Sequence, residues 1–333
     1  MSLPSLVQKC DYYQKKTFLS YLRFKKALYK VPEGKRFSLA LLTFIIATYP
    51  GQNHWQTLTI NPSEPKVRSA QITLKPHPIP INDGTKVPYL TAQAIFVFEP
   101  DSGAILYQHS SDTRLHPAST TKVTTALVAM DVYQANEILT VKTGEQAIGH
   151  STKLATGQQF TVKSLLYATL VSSGNDAALT LAENYPGGGY LGFVELMNQK
   201  AQELHLANTS FTNVSGIESY NHKTTVHDLA ILTKEAVKNP LFMEIVNTPE
   251  VTITDISGEN QYQLQTTNLL LGKVDGLKGI KTGWTENAGE CLITYTERDG
   301  KKIITVVLNS ADRFGESEQL INWAFNHHTW QQI

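Results

Sequence analysis

Two strand–turn–strand signals lie far apart in this chain, and together they dictate what the residues between them must build. Ala92–Glu99 and Ala104–Gln108 flank Asp101-Ser102-Gly103, while Glu290–Glu297 and Lys302–Asn309 flank Asp299-Gly300. Asp-Gly tolerates the positive φ that tight hairpin turns demand, so the second signal is a strong hairpin. Between the two, apolar residues recur at spacings of three and four. From Ser119 onward Val123, Ala126, Leu127 and Met130 recur at helical spacing. Further helices are predicted at Val162–Val171, Asp176–Asn184, Gly192–Leu204 and Val226–Lys238, and Glu316–His327 closes the chain as another. Strands at both ends around a helical middle predict an α/β (α+β) domain. Its antiparallel sheet is built from both ends, with a helical subdomain inserted. Apolar residues make up 41% of the chain, enough to bury such a core.

The segment before this body has a different character. Residues 1–36 hold nine Lys/Arg and two acids, a net of +7, and the remainder carries −7, so the whole chain sums to zero. Then follow thirteen mostly apolar residues, 37–49, ended by Pro50-Gly51. That run is short for a full membrane span and has the length of an export h-region. Its basic flank is expected to stay in the cytoplasm and to meet anionic lipid head groups. Ala47 suits a cleavage site but Tyr49 does not, so an uncleaved anchor is expected, with a secreted body as the alternative. Residues 50–88 hold seven of the fourteen prolines and read as an extended tether. The expected organisation is a basic cytoplasmic segment 1–36, an apolar signal or anchor 37–49, a Pro-rich tether 50–88 and a catalytic domain 89–333. An acidic body is not expected to bind nucleic acid. Cys10 and Cys291 are too few for a disulfide scaffold, and Cys291 reads as a small core hydrophobe.

Three short motifs carry chemistry. In Ser119-Thr120-Thr121-Lys122 the i, i+3 spacing puts Lys122 beside Ser119 on one helix face. A serine hydroxyl needs a nearby base, and a lysine serves as one only when burial or neighbouring cations lower its pKa. Ser63-Glu64-Pro65-Lys66 matches the same pattern, but Pro65 denies it a helix. Ser-x-Asn occurs at Ser173-Gly174-Asn175, between two helical patterns, and again at Ser219-Tyr220-Asn221 in a polar loop. Lys-Thr-Gly occurs at Lys142-Thr143-Gly144 and at Lys281-Thr282-Gly283. Lys281 immediately precedes the hairpin, where an edge strand can line a cleft, whereas Lys142 precedes Ser173, the wrong order for a C-terminal sheet edge.

Taken in order, Ser119–Lys122, Ser173–Asn175 and Lys281–Gly283 resemble the motif set of the penicillin-recognising serine enzymes of the β-lactamase/transpeptidase-like superfamily. Ser173-Gly174-Asn175-Asp176-Ala177, Asn213-Val214-Ser215-Gly216 and Val274-Asp275-Gly276 look more narrowly like the D-alanyl-D-alanine carboxypeptidases among the low-molecular-mass penicillin-binding proteins. The resemblance covers about residues 90–327. It implies that Ser119 attacks the carbonyl of the penultimate D-Ala of a peptidoglycan stem peptide. Lys122 then takes its proton, Ser173 and Asn175 complete the polar network, and Lys281, Thr282 and Gly283 hold the terminal carboxylate. The N–H groups of Ser119 and Trp284 are expected to form the oxyanion hole, β-lactams to acylate Ser119, and no metal or cofactor to be needed. The second β-rich domain and C-terminal amphipathic anchor of many relatives are not expected, the N-terminal segment replacing that anchor. Lys278-Gly279-Ile280 reads as a small insertion before Lys281.

Two alternatives stay open: a β-lactamase, which needs a dedicated carboxylate for deacylation, and a membrane-tethered penicillin sensor that never turns over. Glu203 ends a predicted helix and is not assigned that carboxylate role. Gly187–Gly192 matches a dinucleotide fingerprint literally but follows a helix and Pro186, so it reads as a loop. His327-His328 are adjacent and so point apart, a poor metal pair.

Overall fold

The computed structural model describes residues 77–332 and, before them, Pro32 and Lys35. The expectations for the remainder of 1–76, including the apolar run, most of the basic segment and Cys10, lie outside the described residues. Strand β1 (Ile79–Asn82) is followed by β2 (Ala94–Phe98) and β3 (Ile105–His109), which pair antiparallel as predicted. The hairpin around Asp299-Gly300 becomes β9 (Gly289–Arg298) and β10 (Lys301–Ser310), and β8 (Leu277–Thr285) joins it. These strands form one five-stranded sheet in the order β3-β2-β10-β9-β8. The two chain ends meet at β2 and β10, with Val306 opposite Phe96.

Strand alternation explains why both faces of this sheet are covered. Ala94, Phe96 and Phe98 pack into the main core together with Ile304, Val306 and Leu308. Their neighbours Ile95 and Val97 pack with Ile303 and Val307 on the other face. A period of two sends successive side chains to opposite sides, so β2 is buried throughout. Each such side chain contributes on the order of 1.5–3 kcal/mol. The second face is closed by the last helix, through Leu320, Trp323 and Ala324.

The inserted helices are α1 (Lys122–Val132), α2 (Val162–Leu170), α3 (Asn175–Glu183), α4 (Gly189–Glu203), α5 (Val226–Ala236) and α6 (Pro240–Val246), and α7 (Arg313–Asn326) ends the series. Their starts follow local capping chemistry. Thr161, Thr225, Asn239 and Asp312 accept backbone N–H bonds in the first turns of α2, α5, α6 and α7. Helix α1 is buried from Lys122 to Ala129, the signature of a central helix. Glycines 187 and 188 form a turn and α4 begins at Gly189, directly after a helix rather than a strand.

Two parts of the fold depart from expectation. The body begins before residue 89: β1 pairs antiparallel with β11 (His328–Gln331), Ile79 opposite Gln331. Pro80 sits in this two-stranded ribbon, where a missing N–H is tolerated at an edge. The last part of the proline-rich stretch is therefore structure, and Thr73–Ile333 forms one compact unit. The closing helix ends at Asn326, one residue before the expected His327, and His328 opens β11, buried with its ring edge-on to Trp323. Two small hairpins lie outside the predicted elements: β4 (Ile138–Thr140) with β5 (Gln159–Thr161), and β6 (Glu250–Thr254) with β7 (Gln261–Gln265). Among the described residues no helix is long and apolar enough to cross a membrane.

Candidate active site

Ser119 sits in a 3₁₀ turn, Ala118–Thr121, that runs directly into α1 at Lys122. This refines the predicted helix start. In a 3₁₀ turn side chains at i and i+3 eclipse, so Ser119 and Lys122 stack more closely than on an α-helix. Their Oγ and Nζ atoms are 2.9 Å apart. Threonines tighten the turn, since Thr120 donates to Pro117 O and Thr121 to Ala118 O.

Lys122 is fully buried, and its Nζ has three partners: Ser119 Oγ, Asn175 Oδ1 at 2.6 Å and the Ser215 carbonyl at 2.9 Å. Asn175 Nδ2 donates to Ile148 O, which leaves its Oδ1 to face the lysine. A neutral amine has two N–H donors and one lone pair. Asn175 Oδ1 and Ser215 O accept the two donors, and the lone pair is left for the Ser119 hydroxyl proton. Burial holds the Lys122 pKa well below the ordinary lysine value, the Lys281 charge lowers it further, and Asp176 opposes both. The arrangement is a proton acceptor aimed at a serine.

The Ser-x-Asn motif lies where α2 gives way to α3. Ser173 adopts φ +64 and is buried, but among the described residues its hydroxyl has no hydrogen-bond partner. The structure therefore brings Asn175 to Lys122 and leaves Ser173 beside the network rather than in it. Asp176 enters the sequence reading as part of the resemblance motif, with no role assigned to it. It is fully buried and accepts from Ser151 Oγ and from the N–H groups of Thr152, Leu154 and Ala177, fastening the 147–154 loop to α3.

Opposite these helices runs edge strand β8. Lys281 is 1% exposed, and among the described residues its Nζ has only Thr282 O at 3.1 Å and Thr267 Oγ1 at 3.5 Å. Burial, with the Arg313 charge behind it, pushes its pKa down to about 7. Thr282 Oγ1 meets Thr267 Oγ1 at 2.5 Å. Gly283 lets the strand approach the nucleophile: a Cβ there would stand 3.0 Å from Ser119 N. Trp284 follows, 62% exposed. The insertion read at Lys278–Ile280 is a register shift between Leu277 and Ile280. The other Lys-Thr-Gly lies elsewhere, with Lys142 exposed and bonded to Glu183 O.

These observations bring together the half-buried Ser119, the buried Lys122, its amide partner and a lysine-bearing strand. A family profile described as D-alanyl-D-alanine carboxypeptidase matches residues 82–312. The chain belongs to this family. It is 32% identical over 268 residues to the D-alanyl-D-alanine carboxypeptidase DacF of Bacillus subtilis, covering 77% of this chain and 68% of that protein. The crystal structure of the Streptomyces K15 DD-transpeptidase superposes with a TM-score of 0.70 at 29% identity, covering 73% of this chain and 100% of that one. The ampicillin-bound form of penicillin-binding protein D2 from Listeria monocytogenes gives 0.62 at 30% identity, covering 72% and 100%. The penicillin-binding DD-peptidase fold agrees with the expected sheet and inserted helices.

Several working residues carry little sequence signal. Asn213 Oδ1 accepts the N–H groups of Ser215, Gly216 and Ile217 and so holds the carbonyl that faces Lys122. Gly216 (φ +87) lies so close to Ala118 O that a Cβ there would be 1.8 Å away. In the sequence Asn213-Val214-Ser215-Gly216 contributes to the family resemblance, but neither Asn213 nor Gly216 is given a role in the chemistry. Arg313 Nη1 donates to Gly283 O across a sequence gap that no local pattern reveals. Glu203 pairs with Lys200 on α4 and is not in the hydrogen-bond network of the site.

Proposed function

We propose that this chain is a serine-type D-alanyl-D-alanine carboxypeptidase that trims the terminal D-Ala from peptidoglycan stem peptides and is acylated by β-lactams at Ser119. The observation that carries this reading is the 2.9 Å contact between Ser119 Oγ and a fully buried Lys122 whose other partners are acceptors. Lys122 takes the hydroxyl proton as Oγ bonds to the carbonyl carbon of the penultimate D-Ala. The N–H groups of Ser119 and Trp284 receive the developing oxyanion, each worth roughly 3 kcal/mol. The C–N bond then breaks, and the proton passes to the departing D-Ala amine with Asn175 and the free Ser173 hydroxyl beside the path. Water attacks the acyl-enzyme and Oγ recovers a proton. Lys281, with Thr282 and Gly283 beside it, takes the terminal carboxylate; its sparse protein partners leave its ammonium available to an anion. No metal or cofactor enters these steps.

The membrane placement rests on the sequence alone. The basic segment and apolar run at 1–49 support an anchor on anionic lipid with the catalytic body outside the cytoplasm, contributing to cell-wall shape. The test of the activity is direct. The wild-type protein should release D-Ala from a peptide ending in D-Ala-D-Ala and be labelled by a fluorescent penicillin, and Ser119→Ala should lose both. Labelling without D-Ala release favours the sensor, and rapid penicillin hydrolysis favours the lactamase.

A further inference from the structure

We propose that His222 is a positioning residue for the nucleophile: through Thr121 it orients the Ala118–Ser119 peptide whose N–H serves the oxyanion. This rests on the reading of Ser119 as the acylated residue. His222 is fully buried, in a segment pinned on its far side by bridges from Lys223 to Ser210 and from Thr224 to Leu115. Phe211 packs edge-on against its ring. Its Nδ1 lies 3.0 Å from the backbone N–H of Thr212, and its Nε2 lies 2.8 Å from Thr121 Oγ1.

Those two contacts fix the tautomer. A backbone N–H only donates, so Nδ1 is the bare acceptor and the single ring proton sits on Nε2. That proton is donated to Thr121 Oγ1, and the Thr121 hydroxyl donates in turn to Ala118 O at 2.9 Å. Burial, with His116 nearby, pushes the His222 pKa down to about 4, so the ring is neutral and the donor chain keeps one direction at neutral pH.

The chain ends at an unusual place. Ala118 has φ +47, a conformation an alanine adopts only when its surroundings hold it there. A peptide unit is planar, so a hydrogen bond that fixes the carbonyl of Ala118 also fixes the N–H of Ser119 at its other end. Donation to that carbonyl also polarises the same amide, strengthening the N–H as a donor. Gly216 and Gly283 press on this peptide from two other sides. Thr121, between the nucleophile and the base in sequence, thus connects the Ser-x-x-Lys turn to a histidine 101 residues away.

The test measures acylation by a chromogenic penicillin, separating the initial dissociation constant from the acylation rate constant, in His222→Gln, His222→Asn, Thr121→Val and the Thr121→Val/His222→Asn double variant. The Gln amide reaches as far as Nε2 and restores a donor to Thr121; the Asn amide reaches only as far as Nδ1. The His222→Asn and Thr121→Val proteins should therefore acylate roughly 10- to 100-fold more slowly with an unchanged dissociation constant, in line with partial loss of one oxyanion donor. The His222→Gln protein should stay within about threefold of wild type. The double variant should be no slower than the worse single one, because both break the same chain. All should still reach full labelling of Ser119 at long times, which shows that they are folded. If His222→Asn does not fold, His222→Gln and Thr121→Val carry the comparison. Equal losses in His222→Gln and His222→Asn, multiplying losses, or a change confined to the dissociation constant would overturn the proposal. A wild-type protein that is never labelled would instead sink the activity reading.

Discussion

The two walls of the cleft are built on opposite principles. On the helical wall Lys122 Nζ meets three groups, Ser119, Asn175 and the Ser215 carbonyl, with Asn175 and Ser215 held in turn by Ile148 O and Asn213. On the strand wall Lys281 is just as buried, yet among the described residues its Nζ meets only Thr282 O and, at 3.5 Å, Thr267 Oγ1. Both lysines are depressed by burial, but toward different ends. A satisfied neutral amine is a base waiting for a proton. A poorly partnered one held near pH 7 gains most when an anion arrives. Kinetics should separate these two roles, since loss of a group acting only in the transition state lowers kcat and loss of a binding group raises KM.

The largest effect should come from the helical wall. Lys122→Met keeps the bulk and removes the base, and should lower the rate of D-Ala release by roughly 10²- to 10⁴-fold. KM for the peptide should move little, as read from steady-state assays. A variant that loses binding rather than rate would erase the contrast between the walls.

Lys281→Met should do the reverse. Loss of a charge-assisted bond of about 1.5–3 kcal/mol corresponds to a KM raised by roughly 10- to 100-fold at nearly constant kcat. Acidity sharpens the point. In the free enzyme Lys281 loses its proton as pH rises through about 7, so KM for the anionic peptide should climb above that pH in wild type and stay flat in Lys281→Met. Stability should move the other way. Between about 7 and the ordinary value of 10.5 the unfolded chain binds more protons at this position than the folded one, so this residue makes the fold more stable as pH rises across that window. Thermal melting from pH 7 to 10 should show that slope in wild type and a flatter one in Lys281→Met.

Gly216→Ala is the next smaller perturbation and acts on the support of the helical wall. With φ +87 and a Cβ that would stand 1.8 Å from Ala118 O, the backbone must move. That movement should cost on the order of 1–3 kcal/mol in unfolding free energy by denaturant titration. Because the Ser215 carbonyl shifts with it, kcat should fall while KM for the peptide holds.

What the sequence made legible follows from how local each feature is. The sheet built from both ends could be read because β2 and β10 are short apolar runs bounded by turn residues, and Asp299-Gly300 permits a tight turn. Ser119 and Lys122 are three residues apart, so any helical turn brings them together. The start of the body was hidden because Ile79–Asn82 becomes a strand only through its partner β11, and its prolines read locally as a tether. The β6–β7 hairpin offers just two apolar residues per strand, Val251 and Ile253 against Tyr262 and Leu264, too few to stand out. Arg313 and His222 reach the site only through tertiary packing, and Asp176 reads as an ordinary helix-start acid until the loop it grips is folded against it.

The smallest expected effect is the most discriminating about what a motif means. Lys142-Thr143-Gly144 repeats the tripeptide of the strand wall, yet Lys142 is exposed and its Nζ caps the last turn of α3 through Glu183 O at 2.8 Å. A cation at a helix C-terminus contributes about 0.3–1 kcal/mol. Lys142→Ala should therefore lower the melting temperature slightly and leave kcat, KM and penicillin labelling at their wild-type values. The same three letters thus place a lysine beside the nucleophile when buried on β8, where the proposed function has it hold the substrate carboxylate, and make a helix cap when solvated. A loss of acylation in Lys142→Ala would mean that the cleft depends on α3 through its far end, and the separation of the two walls would have to be redrawn.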